Sequence, residues 1–240
     1  MIGKFITTLR TVCFYAGYVV FVSVFSLISC TVGRLLNIRL RQTIVTLGNY
    51  LIDHWLRVCC GVTVNVEGKD NIPETPFVVL SNHQSPWETY YLQRNLRPVS
   101  TILKRELLKI PIFGWGLAAV KPIAIDRGNP RQALKAVIEQ GQLRLQEGMN
   151  VVVYPEGTRM AHGQYGNHAR SGAALACAAN VPVLPVAHNA GRCWPAREFL
   201  KHPGTITVVY GPVIDTGGKD SKTVSAEAES WIKSTQHRIG

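Results

Sequence analysis

Between Arg10 and Arg34 the chain carries no charged residue, and the stretch between them is dense in Phe, Tyr, Val, Leu and Ile. About 20 apolar residues suffice for a helix to cross the hydrocarbon core of a bilayer. This segment therefore cannot be an ordinary surface helix, and it predicts membrane attachment for whatever domain follows. Lys4 and Arg10 precede it, and Arg34, Arg39 and Arg41 follow it. Basic residues on both flanks suit headgroups on either side and leave the orientation open. Residues 1–60 hold six Lys/Arg against one Asp, a net +5 of the chain's +11.

Residues 35–58 follow a different pattern. Leu36, Leu40, Ile44, Leu47, Leu51, Trp55 and Val58 recur every three or four positions, with Arg39, Arg41, Asn49 and Asp53 mostly off that stripe. The spacing predicts an amphipathic helix, either lying at an interface or packed on a globular domain. Residues 1–60 thus read as a two-helix membrane anchor, with the boundary near Gly61. Leu27-Ile28-Ser29-Cys30 also resembles a lipoprotein processing box after a signal peptide. The length of the apolar run and the arginines behind it argue against export.

From residue 61 onward, short Val/Ile-rich runs bounded by Gly, Pro or Asn alternate with helical patterns. Strands are expected at 62–66, 77–80, 118–125, 149–154, 181–187 and 205–210. Helices are expected at 131–146, 168–179 and 221–237. Such alternation predicts an α/β domain over 61–240, a mixed sheet flanked by helices. The chain is long enough, and at 46% hydrophobic apolar enough, for one sizeable core beside the anchor. Six cysteines without a Cys-x-x-Cys pair argue against a zinc site or disulfide framework, and fit a reducing compartment. The positive charge favours anionic partners, yet no basic stripe interleaved with aromatics points to nucleic acid. No Gly-x-Ser-x-Gly is present for a serine hydrolase.

Two runs carry chemistry. Ser81-Asn82-His83-Gln84-Ser85-Pro86-Trp87-Glu88 follows an apolar strand pattern and sets a carboxylate five residues after a histidine. A carboxylate bonded to one imidazole nitrogen fixes the tautomer and makes the other nitrogen the better base. Ser85-Pro86-Trp87-Glu88 is equally a capping box that starts a helix. Tyr154-Pro155-Glu156-Gly157-Thr158-Arg159 also follows a buried strand. Gly157 permits a tight turn, and Arg159 either holds a phosphate bidentately or pairs with Glu156. Lys104, with Arg105, and Arg127, after Ile125-Asp126, add positive charge at further strand exits. Basic residues converging from several strand ends suit an anion.

His83-x-x-x-x-Glu88, Ile125-Asp126-Arg127, Pro155-Glu156-Gly157-Thr158-Arg159 and 181–186 (Val-Pro-Val-Leu-Pro-Val) together resemble the four ordered blocks of the glycerolipid acyltransferases. Within that family they are most similar to the 1-acyl-sn-glycerol-3-phosphate acyltransferases, over residues 61–215. Glu88 stands where that family more often has aspartate, and Tyr154 where phenylalanine is commoner. The resemblance implies acyl transfer from acyl-CoA or acyl-carrier protein to lysophosphatidic acid, giving phosphatidic acid. His83 would be the general base and Glu88 its orienting partner. Arg127, Glu156, Gly157, Thr158 and Arg159, with Lys104, would hold the acceptor, and a backbone N–H near Gly157 would face the oxyanion. No metal or bound cofactor is implied. The expected location is the inner membrane, with the catalytic domain on the cytoplasmic face, where both donors occur. Other acceptors (a lyso-ornithine lipid, glycerol 3-phosphate) and a non-catalytic lipid-binding protein are the alternatives.

Overall fold

The computed structural model describes residues 2–126 and 128–240. Helix α1 (Ile2–Cys30) leads through a 3-10 turn to α2 (Ile38–Cys60). The Asn37 side chain accepts the Leu40 N–H to start α2, and Gly61, at φ 69°, ends it in the left-handed conformation that glycine tolerates best. The remaining elements are β1 (Val62–Glu67), β2 (Val78–Ser81), α3 (Trp87–Asn95), β3 (Val99–Lys104), α4 (Phe113–Ala119), β4 (Ile123–Ile125), α5 (Pro130–Gln146), β5 (Asn150–Val153), α6 (Ser171–Ala179), β6 (Val183–His188), β7 (Gly204–Tyr210) and α7 (Ser221–Ile239).

The strands form one sheet in the order β1-β7-β6-β2-β5-β3-β4. Every pairing is parallel except β6 with β7, so the sheet is mixed. The central strands β2, β5 and β6 are buried along their whole length, which explains their unbroken apolar runs. Their side chains divide by the period of two. Val79, Val152 and Leu184 join Phe14 of α1, Ile52 and Leu56 of α2, and Trp87 and Leu92 of α3 in one core. Val78, Leu80, Val151, Val153 and Val183 join Val137 of α5, Leu175 of α6 and Val224 and Ile232 of α7 in the other. Helices therefore cover both faces, as the sequence predicts.

Three local expectations need correction. Residues 118–125 are not one strand: α4 runs to Ala119 and β4 begins only at Ile123. Strand β3, absent from the six expected, pairs with β5 and β4. The 168–179 helix starts later, at Ser171. A fourth expectation to change concerns α2. Its buried positions are Gln42, Thr46, Gly48, Asn49, Ile52, Leu56 and Cys60, while Leu40, Leu47 and Val58 of the apolar stripe are exposed. Gln42 bridges the backbone of Val99 in both directions, and Asn49 bonds Tyr90 and Gln93, so polar side chains seat the inner face. Helix α1 packs on α2 and α4, and Lys201 braces it from below. The Lys201 N–H bonds Thr11 Oγ1, and its ammonium donates to the carbonyls of Glu198, Phe199 and Leu200 beneath the faces of Tyr15 and Trp194. All six cysteines are free thiols.

Candidate active site

Because β2, β3, β5 and β6 run parallel, their C-terminal ends lie along one edge of the sheet. That edge gathers the segments following Ser81, Lys104, Val153 and His188, the region where α/β sheets carry ligand sites.

His83 leaves β2 and is 9% exposed. Its Nδ1 lies 2.7 Å from Glu88 Oε1. The same oxygen accepts the N–H groups of Gln84 at 2.9 Å and Ser85 at 2.8 Å, while Ser85 Oγ accepts the Trp87 N–H. Helix capping and the histidine contact are thus one arrangement: the carboxylate that closes the first turn of α3 also accepts from the imidazole. Nδ1 carries the proton in that bond, which leaves the Nε2 lone pair free. Burial works against an ionised Glu88, yet the imidazoles of His188 and His83 and the Ser85 N–H hold its carboxyl below the usual range.

The second run latches onto the first. His83 N–H donates to Glu156 Oε2 at 2.8 Å, and the Met160 N–H donates to the His83 carbonyl at 2.8 Å. The ring of Tyr154 stacks on the His83 ring, with centroids 4.2 Å apart. Burial pushes the Glu156 carboxyl up to about 7, against the pull of the backbone N–H groups of His83 and Gly166. Gly157 sits at φ 66°, the conformation a side chain disfavours. Its N–H is committed to the Tyr154 carbonyl, so that N–H is not the oxyanion donor. Thr158 is exposed and Arg159 half-buried. The turn pair between Glu156 and Arg159 does not form, since Glu156 turns to His83 instead. Lys104 is exposed at the end of β3, two strands from β2. Arg127 lies outside the described residues.

Two groups escaped the sequence reading. His188, at the end of β6, is fully buried, with Nε2 2.9 Å from the Asn82 carbonyl and 4.0 Å from Glu88 Oε1. Asn82 in turn exchanges two hydrogen bonds with the His188 backbone, each 2.9 Å. The only signal for this pairing was a histidine just past the last apolar block. Tyr18 of α1 is the other; its hydroxyl lies 2.5 Å from that of Tyr90. Beside Tyr90, a small cleft of about 50 Å³ opens between α1, α2 and α4, lined by Phe21, Val22, Phe25, Ile52, Phe113 and Leu117 among others.

Comparison with known proteins gives a consistent picture. A sequence model of the family described as Acyltransferase matches residues 63–189. A 1-acyl-sn-glycerol-3-phosphate acyltransferase of Pseudomonas aeruginosa is 43% identical over 238 residues, covering 98% of this chain and 93% of its own. The human 1-acyl-sn-glycerol-3-phosphate acyltransferase alpha is 30% identical over 224 residues, covering 90% of this chain and 75% of its own. The crystal structure of the 1-acyl-sn-glycerophosphate (LPA) acyltransferase PlsC from Thermotoga maritima superposes with a TM-score of 0.82 over 98% of this chain and 96% of that one, at 24% identity, a likeness of fold.

Proposed function

Since the chain belongs to the acyltransferase family, we propose that it moves an acyl chain from a thioester donor to the sn-2 hydroxyl of 1-acyl-sn-glycerol 3-phosphate, forming phosphatidic acid. The observation that carries the mechanism is the 2.7 Å bond from His83 to Glu88, with Nε2 left free as a base. His83 Nε2 takes the proton of the acceptor hydroxyl as its oxygen attacks the thioester carbonyl. The C–S bond then breaks, and the thiolate leaves and takes the proton back from the imidazolium. Glu88 orients the ring and stabilises the imidazolium. Arg159, Thr158, Gly157 and Glu156 form the acceptor side, and the family resemblance adds Lys104 and Arg127 to it. Glu156 acts there by fixing the His83 backbone. The donor is acyl-CoA or acyl-carrier protein, both of which suit a net charge of +11. The reaction so written draws on no metal ion.

The anchor belongs to this reading. Helix α1 is long and apolar enough to cross a membrane, and only 11% of its most apolar window is buried. Phe5, Leu9, Val19 and Val20 of α1, Leu40 and Leu47 of α2 and the nearby Ile112 and Trp115 are exposed. We read these as a lipid-contacting surface that holds the site where a one-chain lipid partitions. It sits on the inner membrane, with the site on the cytoplasmic side.

The test is free-thiol release by the detergent-purified protein, with lysophosphatidate and with a phosphate-free lysolipid. Release only with lysophosphatidate, reduced at least ~100-fold in His83→Ala, is the expected result. Undiminished turnover in that variant removes His83 as the base. Turnover only with the phosphate-free lipid moves the acceptor to another lysolipid. Silence with both acyl-CoA and acyl-carrier protein makes the protein a lipid binder.

A further inference from the structure

Cys13 of α1 and Cys59 of α2 are 46 positions apart, yet their Sγ atoms lie 3.6 Å from each other. Neither takes part in the chemistry of the His83 edge. Two contacts from one face of α2 set this approach. Trp55 and Cys59 are four residues apart, so they are neighbours on that helix surface. Trp55 Nε1 donates to the Cys13 carbonyl at 3.2 Å, and Cys59 meets the Cys13 thiol. The next thiol along, on Cys60, lies 3.8 Å from the Arg10 carbonyl, one turn back on α1. Glycines let the helices close: a side chain at Gly17 would run into the Trp55 indole, and one at Gly48 into the Phe25 ring. The thiol pair is thus held by helix packing on either side of it.

The pair is also reachable. Cys13 is exposed and Cys59 partly so, whereas Cys60 and Cys193 are buried. Arg10, three residues before Cys13, and Arg57, two before Cys59, are exposed. These charges put the thiols at the polar end of the uncharged stretch of α1, where a water-borne reagent meets them, and they favour an anionic one. A disulfide needs its sulfurs about 2 Å apart, so closure brings these two together by about 1.5 Å more.

We propose that Cys13 and Cys59 form an oxidation site whose reagent is a small anionic disulfide of the oxidised-glutathione type, and whose product is a covalent staple between the two anchor helices. The exposed Cys13 loses its proton and attacks the reagent disulfide; one reagent thiolate leaves and a mixed disulfide forms. Cys59, as thiolate, then attacks Cys13 Sγ, and the second reagent thiolate leaves. The two protein thiols have given up two protons and two electrons, and the reagent disulfide has become two thiols. Burial above all, together with the neighbouring Cys13 thiol, pushes Cys59 up to about 12, so it is the slower first attacker; the mixed disulfide removes the Cys13 part of that effect. In a reducing compartment the pair stays open, and it closes when the thiol–disulfide balance turns oxidising. The closed form ties α1 to α2 and makes their separation harder. This site stands apart from the acyltransferase reading.

The experiment equilibrates the whole chain, in detergent, with glutathione buffers from fully reduced to largely oxidised. Free thiols are then blocked with N-ethylmaleimide, and the digest is mapped by mass without reduction. The expected product is a peptide pair joined through Cys13 and Cys59, lighter than the two free peptides by two hydrogens. It rises to most of the protein at the oxidised end and returns to thiols with dithiothreitol. The melting temperature of the oxidised protein is expected ~5 °C or more above that of the reduced one, with no such rise in Cys13→Ser. Recovery of both cysteines as maleimide adducts across the whole series overturns the proposal. Glutathione held stably on Cys13, a Cys59–Cys60 link, or a link between two copies of the chain overturns it equally. The mapping uses the unaltered sequence, so its outcome does not depend on whether a variant folds, and thiol release by wild type tests acyl transfer separately.

Discussion

The Ala190 N–H lies 3.3 Å from His188 Nδ1, and Nε2 lies 2.9 Å from the Asn82 carbonyl, so the ring has one neutral tautomer open to it, with the proton on Nε2. Burial pushes the pKa of His188 down, in keeping with a neutral ring, although the nearby Glu88 pulls the other way. The Nε2–H dipole thus fixes the peptide just before His83 and faces the Glu88 carboxylate. His188→Gln keeps an N–H near that point and is expected to retain most activity. His188→Leu is expected to lower kcat about 10-fold or more and to shift the acidic limb of the pH–rate profile, with both KM values unchanged. Equal pH profiles for the two variants would reduce His188 to packing. Glu156 offers a second check. Its folded pKa, about 7, lies above the ordinary 4.5, so between those values the folded state holds a proton that the unfolded chain releases. Its contribution to stability is full below about 4.5 and is lost as pH rises to 7. Glu156→Gln keeps an acceptor oxygen for His83 and removes the ionisation. Its melting temperature is therefore expected to fall less than that of wild type between pH 5 and 8; parallel curves would rule the titration out. His83, Glu88 and Arg159 could be picked out from residue type and spacing. His188 could not, since its partner Asn82 is 106 positions away.

Helix α2 shows where periodicity misleads. The apolar stripe through Leu40, Leu47 and Val58 is real, but it faces outward, while a face containing Gln42, Thr46 and Asn49 meets the domain. Those polar groups are tolerated because each finds a partner in neighbouring backbone or side chain. The two faces can be separated experimentally. Leu47→Glu is expected to weaken vesicle cosedimentation while leaving the melting temperature within a degree or two. Ile52→Ala, on the inner face, is expected to cost about 3 kcal/mol of stability with little direct effect on vesicle binding. A reversed pattern, with Leu47→Glu unfolding the protein, would return the stripe to the core. The strand expected at 118–125 does not form as one element for a related reason. Its apolar residues at 118–119 serve α4, whose Gly114 and Gly116 allow backbone or side chains of neighbouring segments to approach closely.

At the scale of the whole molecule, parallel pairing brings the ends of β2, β5 and β6 to one edge and so joins runs separated by about 70 to 105 positions. The alternation of short apolar strands and amphipathic helices, the charge-free first helix and the chemistry of the His83 and Arg159 runs are properties of local sequence. Periodicity, capping and residue type act within a few positions, so the sequence alone determines them. Tertiary structure decided the strand order, the single antiparallel pair, the outward turn of the α2 stripe, the choice of Glu156 to bind the His83 backbone instead of Arg159, and the meeting of Tyr18 with Tyr90. Each of these is a competition between distant groups for the same hydrogen bonds and the same buried space, and it is resolved only when the whole sheet and its helices pack together.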